Sequence, residues 1–210
     1  CIVLDHVSMF DESIRHARQA LAIDPEDAVA ETHLGLACFH SGRYDEALRV
    51  TESAASRSPG AWALHQLINC HVRVSRLAEA AEMAERTSRR FPNEVLFYPI
   101  RGVIAASRGD AERARQQIQL SIQNKKAFRH YHHAQYDIAC THALLGEREE
   151  ALRWLSDAAH NGFPCSGFFE IDPLLESIRN EERFRALMSE LRVECDGYRR
   201  LYGELTRSVA

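Results

Sequence analysis

Apolar residues recur along the chain at the three- and four-residue spacing of amphipathic α-helices, and no stretch keeps the two-residue alternation of a β-strand. Ten glycines and six prolines stand between these helical stretches as single residues and do not form clusters. The pattern therefore predicts an all-α protein, built from short helices that are joined by tight turns.

One helical pattern occurs four times with small variations. The matching stretches are DEALRVTESAA from Asp45, LAEAAEMAERT from Leu77, DAERARQQIQLS from Asp110 and EEALRWLSDAA from Glu149. Their corresponding alanines lie 33, 34 and 37 residues apart, at Ala47, Ala80, Ala114 and Ala151. A period near 34 residues is typical of repeats that are built from two helices.

The first complete repeat carries the residues of a known family. Leu34 and Gly35 stand in its first helix, Gly42 in the turn, Ala47 in the second helix and Pro59 near the end. With these residues the unit resembles a tetratricopeptide repeat (TPR). The resemblance implies a right-handed α-solenoid, in which small residues let paired helices approach closely. Stacked units would then bury one continuous core and leave a concave groove.

The resemblance divides the chain into a TPR array, residues 1–165, and C-terminal capping helices, residues 166–210. The array contains a partial repeat at 1–27 and complete repeats at about 28–60, 61–94, 95–131 and 132–165. We expect a short insertion between the third and fourth repeats. Because the sequence opens inside a repeat, at a cysteine, we also expect it to be the C-terminal part of a larger protein.

From residue 180 onward the apolar residues form a single helical stripe, and charged residues fill the remaining faces. The stripe consists of Phe184, Leu187, Met188, Leu191, Cys195, Tyr198, Leu201, Tyr202 and Leu205. It predicts a long amphipathic helix that covers the last repeat. The polar outer face of such a helix would keep that end of the array in contact with water.

Composition excludes several classes of function. A formal net charge of -4 over 210 residues, without a long basic block, gives no reason to expect nucleic acid or an anionic membrane as partner. No apolar run reaches the roughly 18 residues that span a bilayer. The six cysteines form no CxxC pair, so we expect reduced thiols and a cytoplasmic location.

The resemblance also indicates which side chains face a partner. In the TPR family the first helix of each repeat lines the concave groove. The corresponding residues are Phe39, His40, Trp62, His65, Asn69, Arg73, His133 and Tyr136. An aromatic ring, an amide and a guanidinium at helical spacing, as on the second repeat, suit an extended peptide. The alternative is that Trp62 packs internally against the preceding repeat.

The stretch FRHYHHAQYDIAC, residues 128–140, concentrates histidines at the start of the fourth repeat. A zinc site needs three or four converging ligands. Besides His132 and His133, Cys165 or His160 could supply another ligand only if the loop after the repeat folds back. We expect instead that these rings pack between helices, cap the helix or line the groove, and that the protein uses no metal or other cofactor.

A second resemblance concerns residues 130–192. Their strings YDIA, ALLG, GFPC and FFE are similar to the C-terminal segment of bacterial signalling proteins, in which repeats follow a catalytic or DNA-binding domain. The resemblance implies an upstream serine/threonine kinase or, less often, a nucleotide cyclase or winged-helix regulator. This chain carries no kinase motif, hydrolase motif or nucleotide-binding loop. It is therefore expected not to be an enzyme.

These observations predict a non-catalytic scaffold that binds a peptide or protein segment in its concave groove. The partner would be another protein or the chain's own upstream domain. One alternative is self-association through the terminal repeat or the capping helix, which would give an oligomer. Another is a metal-binding sensor that uses the histidines of residues 130–133.

Overall fold

The structure is a computed structural model that describes residues 2–125 and 130–209. Within these ranges the chain forms helices and no strand. The helices are α1 (Ile2–His6), α2 (Phe10–Ile23), α3 (Ala28–His40), α4 (Tyr44–Arg57), α5 (Ala61–Arg73), α6 (Leu77–Arg90), α7 (Phe97–Ser107), α8 (Ala111–Asn124), α9 (Tyr131–Leu144), α10 (Arg148–His160), α11 (Ser166–Phe169), a 3-10 helix (Pro173–Ile178) and α12 (Glu182–Val209).

Successive helices pack in pairs, and the pairs stack on one another. Helices α3 and α4, α5 and α6, α7 and α8, and α9 and α10 contact each other within each of the four ranges predicted for complete repeats. Helix α4 also packs on α5, and α6 packs on α7. The fold is thus an α-solenoid. Residues 1, 126–129 and 210 lie outside the described residues, and with them part of the region where the short insertion between the third and fourth repeats is expected.

Small side chains mark the places where paired helices meet. The four alanines that define the repeat have no exposed surface; they are Ala47, Ala80, Ala114 and Ala151, on α4, α6, α8 and α10. A Cβ atom at Gly35 of α3 would lie 3.2 Å from the Thr51 Oγ1 of α4. The Thr51 side chain would therefore have to shift by a few tenths of an ångström to accommodate even a methyl group at position 35.

The turn inside each helix pair contains one residue in the left-handed region. Three turns use a glycine there, Gly42 at φ 79°, Gly109 at φ 80° and Gly146 at φ 75°. The turn between α5 and α6 uses Ser75 at φ 62°. Because a Cβ atom clashes with the backbone in this region, the serine holds a conformation that glycine adopts without strain.

The segment after α10 does not continue the solenoid. The sequence predicts capping helices from residue 166 onward, but α11 and the 3-10 helix pack on the side formed by the first helices of the pairs, α3, α5 and α9. Phe163, Phe168 and Phe169 are almost completely buried there. The side that was expected to form an open groove is thus filled by the chain itself.

Helix α12 begins on the last repeat and reaches the other end of the array. Its first apolar residues, Phe184, Leu187, Met188 and Leu191, lie in the main core. Further along, Cys195 packs with Val7 and Met9, and the Tyr202 hydroxyl is 2.7 Å from the His16 Nε2 of α2. The predicted helix is present, but it covers more than the last repeat because it also contacts the first one.

The predicted apolar stripe of α12 is longer than the surface that it covers. Tyr198, Leu201 and Leu205 are 44%, 52% and 57% exposed. Although α12 is the longest helix, neither it nor another helix within the described ranges is both long and apolar enough to cross a membrane.

The turn geometry gives a first prediction. Ser75→Gly should raise the free energy of unfolding by up to about 1 kcal/mol, because relief of left-handed strain outweighs the entropy that glycine adds to the unfolded chain. Gly109→Ala, at a turn where a Cβ would touch nothing within 4 Å, should lower it by about 1 kcal/mol. Urea denaturation measures both, and a destabilised Ser75→Gly variant would show that the serine turn is not strained.

Candidate functional site: an occupied concave side and a histidine cluster

The eight predicted groove residues lie together on one side of α3, α5 and α9. Seven of them are buried: Phe39, His40, His65, Asn69, Arg73, His133 and Tyr136. Trp62 is half-buried, and its ring lies 4.8 Å from that of His133. The indole thus contacts a ring of the fourth repeat. A role for these residues in partner binding stays a prediction, since in this structure they face their own chain.

Aromatic rings from the segment after α10 fill the space between α3 and α9. The Phe168 ring lies 5.2 Å from Phe39, 4.6 Å from His40 and 5.2 Å from Tyr136, centroid to centroid. The Phe169 ring stacks on Tyr136 at 5.2 Å. Ring pairs at these separations are favourable beyond their buried area. The concave side is therefore packed with aromatic side chains of its own chain.

A carboxylate from the same segment is held at the centre of the concave side. Asp172 Oδ2 accepts a hydrogen bond from Arg73 Nη2 at 2.8 Å and another from the Tyr136 hydroxyl. Both partners of the ion pair have fully buried side chains. Burial opposes the charge on the guanidinium, but the nearby Asp172 outweighs it and raises the pKa of Arg73 above its ordinary value. The arginine thus stays charged.

Further polar contacts orient this ion pair. Arg73 Nη1 donates to the Asn69 side-chain oxygen, and the Arg73 guanidinium lies 5.0 Å from the centre of the Phe39 ring. On the same helix His65 Nε2 is 3.1 Å from the Asp137 Oδ2 of α9. The polar residues predicted on α5 are thus brought together, and each has a partner on another element or on its own helix.

The sequence pattern does not indicate the carboxylates that complete these contacts. Asp172 stands in FFEIDP, where its type and position indicate a cap; it does cap the 3-10 helix by accepting from the Leu174 backbone N–H at 3.0 Å. Asp5 of α1 lies 2.6 Å from His40 Nδ1. Neither residue is near its partner in the sequence, so helical spacing alone gave no reason to connect them.

Three imidazoles converge beside these contacts. His6 of α1 meets His132 and His133 of α9, with ring centroids 5.5 Å and 5.1 Å away, and the two rings of α9 are 4.4 Å apart. One nitrogen of each residue lies within 4.8 Å of the others. His130, which precedes α9, lies at the edge with its ring 5.6 Å from His132.

The third member of the cluster differs from the one that the sequence suggested. His132 and His133 are both present, but the third residue within the described ranges is His6 and not Cys165. The Cys165 thiol donates to the Asp5 backbone oxygen at 3.3 Å. Burial raises the pKa of this thiol well above its ordinary value. Cys165 is therefore a structural thiol beside the cluster.

A family model for the tetratricopeptide repeat matches residues 9–61 and 67–128, more than half of the chain. Among the solved structures, TTC0263, a thermophilic TPR protein of Thermus thermophilus, is 16% identical with a TM-score of 0.60. The likeness covers 88% of this chain and 91% of that chain. At this identity the likeness shows the fold.

Two further structures have lower TM-scores. MamA is 20% identical, with 72% of this chain and 88% of that chain covered and a TM-score of 0.49. YrrB, described as a TPR protein with an unusual peptide-binding site, is 21% identical, with 75% and 80% covered and a TM-score of 0.47. No curated protein matches. On the strength of the family model and the stacked helix pairs, the chain belongs to the tetratricopeptide repeat family.

Proposed function

We propose that this chain is a non-catalytic scaffold that binds a protein segment on the concave side of its repeats. The proposal is supported by the occupant of this side, since residues 163–172 of the same chain already bind there. Aromatic rings of that segment lie against α3 and α9, and its carboxylate meets Arg73 of α5. The segment is thus an internal example of the ligand that these helices accept.

The contacts define the chemistry of that ligand. Phe168 and Phe169 each contact a ring of the repeats, and Asp172 follows the first of them by four residues. A partner segment of the same class would carry two adjacent aromatic residues and then a carboxylate at a similar distance. The carboxylate provides the specificity, since an aromatic segment without it would leave the buried Arg73 charge without its partner.

The position of this segment determines when a partner can bind. A segment attached to the same chain is present at an effective concentration near the millimolar range, so it competes strongly with a free ligand. An external segment would bind when the chain's own segment is displaced or weakened. The repeats would then select among occupants, of which the internal one is the default.

The resemblance to bacterial signalling proteins supports a finer proposal. Residues 130–192 resemble the end of such proteins, and this same stretch supplies Tyr136, Phe168 and Asp172 to the concave side. We infer a cytoplasmic signalling protein in which the occupant of the repeats changes with the signal. The partner would be a segment of its upstream domain or of a second protein.

Removal of one charge from the buried pair gives the next prediction. Asp172→Asn should lower the free energy of unfolding by about 3–5 kcal/mol, because the Arg73 guanidinium stays buried without a carboxylate. Adding Arg73→Met should recover part of that loss, since no unpaired charge then remains. Urea denaturation of the single and double variants measures the difference. Equal stability of the two would mean that the pair does not hold the segment.

A competition experiment tests the binding proposal directly. The variant Phe168→Ala, Asp172→Asn weakens the internal segment while all residues of the repeats are retained. A synthetic peptide with the sequence of residues 163–172 should bind this variant and not the wild-type chain. The same peptide with asparagine at the last position should bind about 10-fold or more weakly, because a hydrogen bond to a charged group contributes about 1.5–3 kcal/mol.

The matched control is the same variant with Arg73→Met, which should no longer distinguish the two peptides. Calorimetry gives the affinities, and circular dichroism confirms that each variant is folded. If the folded Phe168→Ala, Asp172→Asn variant binds neither peptide, or binds both equally, the concave side is not the binding surface.

Exposed side chains on α12 support self-association as a second candidate function. Tyr198 and Leu201 are 44% and 52% exposed and lie one turn apart on the same face of the helix. The occupant would be the same face of a second copy, since an isologous contact between two identical helices buries both stripes at once.

Light scattering over a concentration series tests this candidate. We expect the wild-type chain to dimerise as its concentration rises, and Tyr198→Glu with Leu201→Glu to remain monomeric because charges replace the apolar face. Val193→Glu is the control, since Val193 is 70% exposed on another side of α12. A wild-type chain that stays monomeric at all concentrations contradicts self-association.

A further inference from the structure

We propose that His6, His132 and His133 form a binding site for a divalent transition-metal ion of the zinc class. One nitrogen of each residue lies within 4.8 Å of the other two. The three residues come from α1 and α9, which are far apart in the sequence. The metal site uses none of the atoms that hold the Arg73–Asp172 pair, so its test does not depend on the occupant of the concave side.

The hydrogen bonds of the cluster leave two buried imidazole nitrogens without a partner among the described residues. His6 Nδ1 is 3.2 Å from the Gly162 backbone oxygen; because that oxygen can only accept, Nδ1 carries the proton and Nε2 keeps a lone pair. His6 Nε2 is buried and has no hydrogen-bond partner among the described residues. This is the arrangement of metal-binding histidines, whose second nitrogen usually donates to a carbonyl or carboxylate.

His132 repeats this arrangement. It has a hydrogen bond to the Asn161 backbone, while its Nε2 is buried and has no partner in the part of the chain that the structure describes. The residue is almost wholly buried, with 9% of its surface exposed. Buried polar atoms almost always have a partner, so two neighbouring imidazoles with orphaned Nε2 atoms require an explanation. A metal ion between them supplies one acceptor for both lone pairs.

The protonation states also suit a metal. Burial lowers the pKa of His6 and of His132 to about 4, and burial together with the adjacent imidazoles lowers the pKa of His133 well below its ordinary value. The three rings are therefore neutral at pH 7, and an ion does not have to displace protons in order to bind.

The distances show how far the site has to close. Three nitrogens bound to one Zn²⁺ at about 2.0–2.1 Å lie about 3.3–3.4 Å from one another in a tetrahedral arrangement. The nitrogens here are separated by up to 4.8 Å, so the rings would move together by up to about 1.5 Å. One member of the cluster, His132, also lines a surface cleft together with Tyr131 and Asn161.

The ligand set selects the class of ion. Three imidazoles suit Zn²⁺, Co²⁺ or Cu²⁺, whereas Mg²⁺ and Ca²⁺ require oxygen ligands. With three protein ligands the fourth position belongs to water or to an exchangeable ligand. The Asp5 carboxylate, which precedes His6 and favours positive charge on it, offsets part of the charge of the ion.

Binding would connect the two ends of the array. His6 belongs to α1, in the partial first repeat, and the other ligands belong to the fourth repeat. Because the ion binds only when α1 lies against α9, it stabilises the folded state over any state in which α1 has detached. The consequence for the protein is a metal-dependent lock on its N-terminal helix.

The test uses the full chain without an affinity tag. Titration with Zn²⁺ in a calorimeter should show one ion per chain and a rise in the melting temperature. Co²⁺ should give the intense visible bands of a four-coordinate site, without the near-ultraviolet sulfur-to-cobalt band that a Cys165 ligand would produce. The spectrum of the wild-type chain therefore distinguishes a site of three histidines from a site that includes the Cys165 thiolate.

Variants identify the ligands. His6→Gln and His132→Gln should each weaken Zn²⁺ binding by more than about 100-fold, since even the loss of a residue that only supports a ligand weakens metal binding about 10–100-fold. His71→Gln should leave the affinity unchanged. His71 is a matched control because it is similarly buried and its Nδ1 also has no partner within the described residues. It lies on α5, whereas the proposed ligands lie on α1 and α9.

Circular dichroism establishes that each variant is folded before it is titrated. A wild-type chain that binds no stoichiometric Zn²⁺ overturns the proposal. So does a Zn²⁺ affinity that survives both His6→Gln and His132→Gln, because the ion would then occupy another site. A Co²⁺ spectrum with a sulfur band shows that a cysteine thiolate binds the ion, and this result likewise overturns the proposal.

Discussion

The buried ion pair between Arg73 and Asp172 is the interaction on which the interior of this protein depends. A buried pair contributes little net stability, since desolvation of two charges cancels much of their attraction. The pair does, however, fix the position of the aromatic segment on the repeats. The aromatic segment could slide along an apolar surface, but the Asp172 carboxylate has to meet the Arg73 guanidinium and the Tyr136 hydroxyl. One register of the segment satisfies all three groups.

Much of the solenoid could be predicted because the features that create it are local. Helical spacing, glycine turns and the period of the small residues are all visible within one repeat. The four repeat-defining alanines are completely buried, as close packing between paired helices requires. The turn at Ser75 shows that a repeat also forms when the left-handed position holds a residue that rarely adopts this conformation.

The interior could not be predicted, because its contacts join residues that are distant in the sequence. The partners Arg73 and Asp172 are 99 positions apart, and His65 and Asp137 are 72 apart. The histidine stretch contains two members of the cluster, but the third, His6, stands more than 120 positions earlier, near the start of the sequence. Long-range contacts of this kind produce no periodic pattern in the sequence. The sequence therefore suggested the nearer Cys165 as the third ligand in place of His6.

The reach of α12 from the last repeat to α2 changes how the whole molecule should unfold. An ordinary array has two free ends, and its units can fray one after another because each depends only on its neighbours. Here the final helix contacts the opening helices through Cys195 and Tyr202, so detachment of either end also breaks contacts with the other. We therefore infer a single cooperative transition and slow formation of the last contacts, which span almost the entire length of the polypeptide.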